Sequence, residues 1–209
     1  MDGPAFAYVS NADVVLDPLL TQGFEPHYHN EGGAEGAIVD GVVQVAESEY
    51  EPGDLIVVVP QFSTTTLNSN NYYWLPETGD AAATHGAPFL GVGLEELTAS
   101  DWVGGTVNLR LLSITGPGDF LLWQDDGFGG ANVFFDSAGD TATLTAGGHT
   151  HYNWGFAAQG IYNLEFEISG IHVDDGAQSA SGIYTFQIPE PTTAMLGVLG
   201  ILVLLRRRR

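Results

Sequence analysis

The sequence predicts an all-β protein, an antiparallel β-sandwich of Ig-like or jelly-roll-like type, with a short C-terminal transmembrane helix. Three observations predict it. From residue 105 onward apolar residues recur at every second position. Short runs of this kind are separated by Gly, Pro and Asp turns, and helical periodicity is almost absent. The chain divides into a β-sandwich domain, residues 1–188, and a C-terminal segment, residues 189–209. No internal repeat and no second domain stand out.

In chain order, residues 1–36 are rich in Gly and Asn and hold a first histidine pair in Pro26-His27-Tyr28-His29. Residues 37–47 are valine-rich and partly alternating, with Asp40-Gly41 as a hairpin or bulge signal. Glu51-Pro52-Gly53-Asp54 reads as a turn, and residues 55–59 as a buried strand of β-branched and apolar residues. Residues 60–88 read as a long loop, and only residues 95–101 look briefly helical. Val107, Leu109 and Leu111 then share one strand face, and Gly116-Pro117-Gly118 turns the chain into the strand at 119–124. Two short strands follow at 132–135 and 141–145. Residues 160–169 alternate Tyr162, Leu164, Phe166 and Ile168 against Asn163, Glu165 and Glu167, and residues 182–188 close the domain with Tyr184, Phe186 and Ile188 on one face. Trp154, Phe156, Tyr162 and Phe166 are expected in the core.

Composition excludes several functions. The 209 residues carry 26 acidic against five basic side chains, a formal net charge of -21. Lysine is absent, and four of the five arginines are terminal, leaving Arg110 alone in the domain. Such a surface repels nucleic acid and anionic lipid, so nucleic acid is not an expected partner. There is no Cys, hence neither a disulfide nor a thiolate ligand. No Gly-x-Ser-x-Gly elbow occurs, and no nucleophile with its base stands out, so a non-enzymatic role is expected. The first ten residues lack the basic and apolar regions of a signal peptide. Beside an export tail, that leads us to expect a leader upstream of residue 1.

The candidate chemistry lies in histidine. Gly148-His149-Thr150-His151-Tyr152-Asn153-Trp154 places two imidazoles at i and i+2, on one side of a strand. His27 and His29 repeat that spacing, and His172 precedes Asp174 and Asp175. Neutral imidazole with carboxylate and no thiolate suits zinc, and also manganese, iron or nickel. The expected metal ligands are His27, His29, His149 and His151, with His172 or an Asp as auxiliary. Affinity should fall as pH drops through the range where histidine takes a proton. Asp125-Asp126-Gly127, residues 136–140 and Asp174-Asp175-Gly176 are candidates for calcium, but none has EF-hand spacing, and ordinary acidic turns explain them better. A remote alternative is a cupin-like metalloenzyme. His27-Tyr28-His29, Glu35 and Glu51-Pro52-Gly53-Asp54 are loosely similar to a cupin metal site, with the Glu one residue late and no histidine soon after the turn.

The C-terminus combines Pro189-Glu190-Pro191, an uncharged run over 192–205, and Arg206, Arg207, Arg208 and Arg209. Fourteen residues rise about 21 Å as a helix, short of a hydrocarbon core of about 30 Å. The prolines disfavour helix just upstream, and the arginines favour the cytoplasmic side. These three parts in this order resemble the PEP-CTERM sorting signal of Gram-negative bacteria. The resemblance implies an exosortase-type sorting protease as partner. It also implies transient residence in the inner membrane through the C-terminal helix, then display at the cell surface or in extracellular matrix.

A second resemblance covers residues 10–188. Tyr50-Glu51-Pro52-Gly53-Asp54, Trp74-Leu75-Pro76, Pro88-Phe89-Leu90-Gly91-Val92-Gly93, Gly116-Pro117-Gly118-Asp119-Phe120 and the segment from Gly148 to Trp154 occur in that order. Together they resemble the choice-of-anchor M family, related to the actinobacterial surface-anchored repeat. This resemblance implies an extracellular β-rich domain without catalysis, associated in some members with zinc ABC transporters. It maps His149, His151, His27 and His29 onto the family's histidines. Ser10-Asn11-Ala12-Asp13 departs from an expected Gly-His-x-Asp, with Asn11 in place of a ligand. The expected role is capture or buffering of zinc outside the membrane. The alternative is a structural or adhesive component of an exopolysaccharide matrix with no metal site.

Overall fold

A computed structural model describes residues 5–7, 12–19, 23–33 and 36–190. The segment expected to form the C-terminal sorting helix, with Pro191 and Arg206 to Arg209, lies outside the described residues, as do Asn11 and Glu35. No helix among the described residues is long and apolar enough to cross a membrane.

The protein is mostly β-structure. Strands β1 (Ala5–Ala7), β2 (Ala12–Leu19) and β3 (Gly23–Asn30) open the described chain. β4 (Ile38–Val39) and β5 (Val42–Val43) form the hairpin foreseen at Asp40-Gly41. Both turn residues have positive φ, 49° and 79°, the conformation a two-residue turn needs to match strand twist. β6 (Ser48–Tyr50) leads through the turn at Glu51-Pro52-Gly53-Asp54 into β7 (Leu55–Val58).

The expected loop over 60–88 is instead a hairpin and a helix. β8 (Thr64–Leu67) and β9 (Asn70–Leu75) turn at Asn68 and Ser69, both at positive φ. Asn reaches that region at lower cost than other non-glycine residues. Helix α1 (Gly79–His85) follows, closed by Gly86 at φ 58°. The helix expected at 95–101 shrinks to a single 3₁₀ turn, Ala99–Asp101, with a second at Val103–Gly105. β10 (Leu90–Gly93), β11 (Thr106–Thr115), β12 (Phe120–Asp125), β13 (Ala131–Phe135) and β14 (Thr141–Thr145) run on from there. β15 (His149–His151), β16 (Asn153–Phe156), β17 (Gly160–His172) and β18 (Gly176–Ile188) complete the set. The last two form one long hairpin, each strand extending past the alternation seen in the sequence.

Three sheets result. The first runs β14-β11-β17-β18-β7-β1-β4-β5, the second β15-β10-β2-β3-β6 and the third β13-β12-β16-β9-β8. The third is antiparallel throughout, but the first two carry parallel pairs, β1 with β7, β18 with β7, and β10 with β2. The purely antiparallel expectation is corrected there. Parallel neighbours need long crossovers, and those crossovers carry the chain from one sheet to another.

The aromatic residues expected in the core are buried. Trp154 and Phe156 of β16 pack on Phe186 of β18 at ring separations of 5.4 and 5.1 Å. Phe120, Phe166 and Tyr162 close around them. The Trp154 indole N–H donates to the Leu90 carbonyl at 3.2 Å, tying the third sheet to β10 of the second. Tyr28 of β3 meets Tyr184 of β18 edge to face at 5.0 Å. The second sheet therefore turns one face to the core and presents the other elsewhere. A Cβ on Gly182 would meet Pro52 at 2.9 Å and Pro26 at 3.2 Å, so the turn after β6 is seated directly on β18.

Candidate metal centre

The second sheet carries the candidate site. Side chains alternate along a strand, so Phe24, Pro26, Tyr28 and Asn30 of β3 face one way, and Glu25, His27 and His29 the other. Register extends that second face across four strands. His29 pairs with Asp13, Asp13 with Gly91 and Gly91 with His151. In the next row, His27 pairs with Val15, Val15 with Gly93 and Gly93 with His149. Both histidine pairs foreseen in the sequence thus share one face of one sheet. Between them β10 offers only Gly91 and Gly93 on that face, and both are buried. Space above the glycines is left to the neighbouring side chains.

The four histidines share a face but not a point. Three strand spacings, roughly 14 Å between backbones, separate β15 from β3. Among the described residues, Glu31, Glu95 and His149 form the group whose candidate ligand atoms all lie within 4.8 Å of one another. His149 Nδ1 contacts the Glu95 carboxylate. The His151 ring stacks on His149 at 4.7 Å and lies parallel to Phe89 at 3.5 Å. Gln124 donates to the His151 carbonyl at 2.9 Å, fixing the backbone beneath the ring. The β15 pair is therefore held by a carboxylate on one side and an aromatic plane on the other.

The β3 pair is held differently. His27 is 5% exposed, and its Nδ1 bonds the Glu25 carbonyl at 2.9 Å. Its Nε2 is buried without a hydrogen-bond partner among the described residues. His29 Nε2 lies 3.0 Å from the exposed Glu47 carboxylate.

His172 joins neither pair. It ends β17 in the first sheet, where its Nδ1 lies 3.3–3.4 Å from the backbone N–H groups of Asp174 and Asp175 and 3.1 Å from the Asp175 carboxylate. Its ring abuts Trp102 at 5.4 Å, and Trp102 stacks on Phe24 at 4.6 Å. Phe24 points to the core side of β3, so His172 sits behind the sheet whose front carries the histidine pairs. The carboxylates that meet His149 are those of Glu31 and Glu95, which stand beyond the ends of β3 and β10. No sequence spacing links either residue to His149, so only the fold reveals them.

Asn153, between the histidine pair and Trp154, is structural. Its carbonyl oxygen accepts from the Trp74 indole at 2.7 Å and the Glu77 backbone at 3.0 Å, and its amide donates to the Glu77 carboxylate at 2.9 Å. Burial raises the Glu77 carboxyl above its ordinary value, against a lowering hydrogen bond from the Asp125 backbone N–H. The remaining acidic turns are filled from within. Asp126 accepts from the Phe128 and Gly130 N–H groups, and Asp140 from those of Asp136 and Ser137. These backbone hydrogen bonds hold both carboxyls below the usual range.

No family model, no curated protein and no solved structure matches this chain, so geometry and donor chemistry carry the reading of the site.

Proposed function

We propose that this is an exported, non-enzymatic β-sandwich protein that captures a divalent cation, zinc by its donors, at the cell surface or in extracellular matrix. His149, His151, Glu95 and Glu31 form its primary ligand set. The observation that carries this reading is the meeting of Glu31, Glu95 and His149 within 4.8 Å, with the His151 ring 4.7 Å from that of His149. Imidazole with carboxylate and no thiolate is a donor set that zinc accepts readily. When bound, the cation would supply a positive charge that carboxylates and imidazoles jointly neutralise. The protein's own part is orientation. Phe89 fixes the plane of one imidazole, Glu95 engages the other, and Gly91 and Gly93 leave room beside them.

The sorting tail supports the location. Pro189-Glu190-Pro191, the apolar run and four arginines resemble the PEP-CTERM signal, which brings an exosortase-type protease and the inner membrane as partners before processing. The order of motifs over residues 10–188 supports kinship with the choice-of-anchor M domains. A zinc ABC transporter or extracellular polysaccharide is the partner that this kinship suggests.

Zinc titration by calorimetry on the full chain, beside His149→Ala/His151→Ala, tests the reading. One-to-one binding lost in the double variant is the expected result. No binding by the folded parent chain would overturn zinc capture and leave a structural or adhesive matrix role.

A further inference from the structure

The chain leaves the first sheet at an end unlike the rest of the surface. Three connections between the first and third sheets meet there. The turn from β7 to β8 begins where the Val59 N–H donates to the Gln187 carbonyl at 2.9 Å, and the Ser63 N–H closes it on the Pro60 carbonyl at 2.9 Å. The turn from β11 to β12 lies beside the start of β17, since a Cβ on Gly160 would meet Pro117 at 3.0 Å. The link from β16 to β17 is tied on both sides. The Ala157 N–H donates to the Asp119 carbonyl at 2.9 Å, and the Gln159 amide to the Pro189 carbonyl at 3.1 Å. The Tyr162 hydroxyl holds its middle, accepting from the Ala158 N–H at 3.0 Å and donating to the Ala158 carbonyl at 3.2 Å. β18 ends among them at Ile188.

In a chain with 26 acidic residues, residues 60–63, 115–118, 157–163 and 187–189 hold none, and only Asp119 and Glu190 border them. Phe62 is 81% exposed on this end and Ile161 53%. The opposite end of the same sheet is acidic, with Asp174 and Asp175 between β17 and β18, and Glu51 and Asp54 at the entry to β7. Phe128 is 96% exposed as well, but it follows Asp125 and Asp126 at the far end of β12. Chain length decides what the uncharged end meets. Three residues, 189–191, separate Ile188 from the uncharged run over 192–205. Fully extended they span at most about 11 Å. A run lodged in hydrocarbon therefore holds this end against the headgroup layer, which is about 5–8 Å thick. An acidic face would be repelled by anionic lipid there, whereas turns without charge and exposed apolar side chains are compatible with the interface.

We infer that this end of the domain is a membrane-resting surface, with the Phe62 turn and the link at 157–159 seated on the bilayer headgroups while residues 192–205 occupy the membrane. The domain then stands on its uncharged end and turns its acidic surface to water. The inference rests on the reading of the tail as a membrane segment. It does not depend on the His149 centre.

The chain has no Cys, so one introduced Cys carries the only thiol-linked fluorophore. Phe62→Cys, Ala157→Cys, Phe128→Cys and Val198→Cys are labelled separately, and each full chain is reconstituted into phosphatidylcholine vesicles. Quenching is read with nitroxide lipids in both leaflets, carrying the nitroxide either on the headgroup or in the acyl chain. Phe62, Ala157 and Phe128 are exposed, so these labels leave the core intact. The expected result is that the acyl-chain nitroxide quenches the label at 198. The headgroup nitroxide should quench the labels at 62 and 157 at least about threefold more than the label at 128. A quenched label at 198, with either 62 or 157 no more quenched than 128, would overturn the resting surface and leave the tail reading standing. An unquenched label at 198 would overturn the tail reading, and the resting surface with it.

Discussion

The two His-x-His pairs have the same spacing and face the same side of one sheet, yet they are built for different work. On β15 both rings are half-buried at a sheet edge, one against a carboxylate and the other flat on Phe89. On β3 one ring is enclosed and hydrogen-bonded to its own strand, while the other pairs with a carboxylate exposed to solvent. Spacing two residues apart settles which face a pair shows. What stands across the sheet and beyond the strand ends settles what the pair can hold.

The largest expected effect breaks the comparison outright. His149→Ala/His151→Ala should reduce zinc affinity by at least about a hundredfold, while His29→Ala changes it less than about tenfold. Equal losses, measured by calorimetry on both variants, would show that the pairs act as one centre.

A second variant sharpens the role of the aromatic plane. Phe89→Ala removes the surface on which His151 lies, and zinc affinity should drop about tenfold with the secondary structure intact by circular dichroism. An unchanged affinity would reduce the stack to packing.

Asn153→Ala separates scaffold from ligands. It leaves the Glu77 and Trp74 groups without their partner and should cost about 2–3 kcal/mol in denaturant unfolding. Zinc stoichiometry should stay at one in the folded fraction, because the Asn153 amide bonds Trp74 and Glu77 and not the imidazoles.

Acid sharpens it further. The Asp126 and Asp140 carboxyls lie below their unfolded values because backbone N–H groups stabilise their charged forms. Their contribution is complete above the unfolded carboxylate value, about 3.9, and is lost as pH falls through the lower folded values. Asp140→Asn should therefore flatten the decline of thermal stability below about pH 4. A parallel decline in variant and parent would remove Asp140 from the account.

The smallest effect is expected at Glu47. Its carboxylate is 69% exposed beside His29, and Glu47→Gln should shift stability by less than about 1 kcal/mol. A larger shift in the melting temperature would mean that His29 is held more firmly than a surface pair allows.

Much of this was legible in the sequence because period two survives wherever one strand face is buried. Tyr162, Leu164, Phe166 and Ile168 announce β17, and Asp40-Gly41 announces its hairpin. The hairpin β8–β9 stayed hidden because Thr64 to Thr66 bury little and the turn uses Asn68-Ser69 without glycine. Helix α1 buries only Ala82, so no apolar stripe marks it. At the site, the shared face of each histidine pair follows from alternation alone. Glu31 and Glu95 do not, because their positions depend on the course the chain takes after β3 and β10 end. His172 looked available by composition, but Trp102 and the Asp174-Asp175 turn engage it at the opposite side of the sheet.

The described chain leaves the domain at Glu190, directly after β18. That strand is flanked by β17 through thirteen residue pairs on one side and by β7 on the other, and the Gln159 amide clasps the Pro189 carbonyl at 3.1 Å. A pull applied through the tail would run along β18 and load its ladders lengthwise, many hydrogen bonds at once, rather than unzip them one by one. If the chain is anchored through its C-terminus, as proposed, the domain would resist flow and shear at that point. The weakly paired β1, β4 and β5 lie at the far edge of the same sheet, away from the line of force.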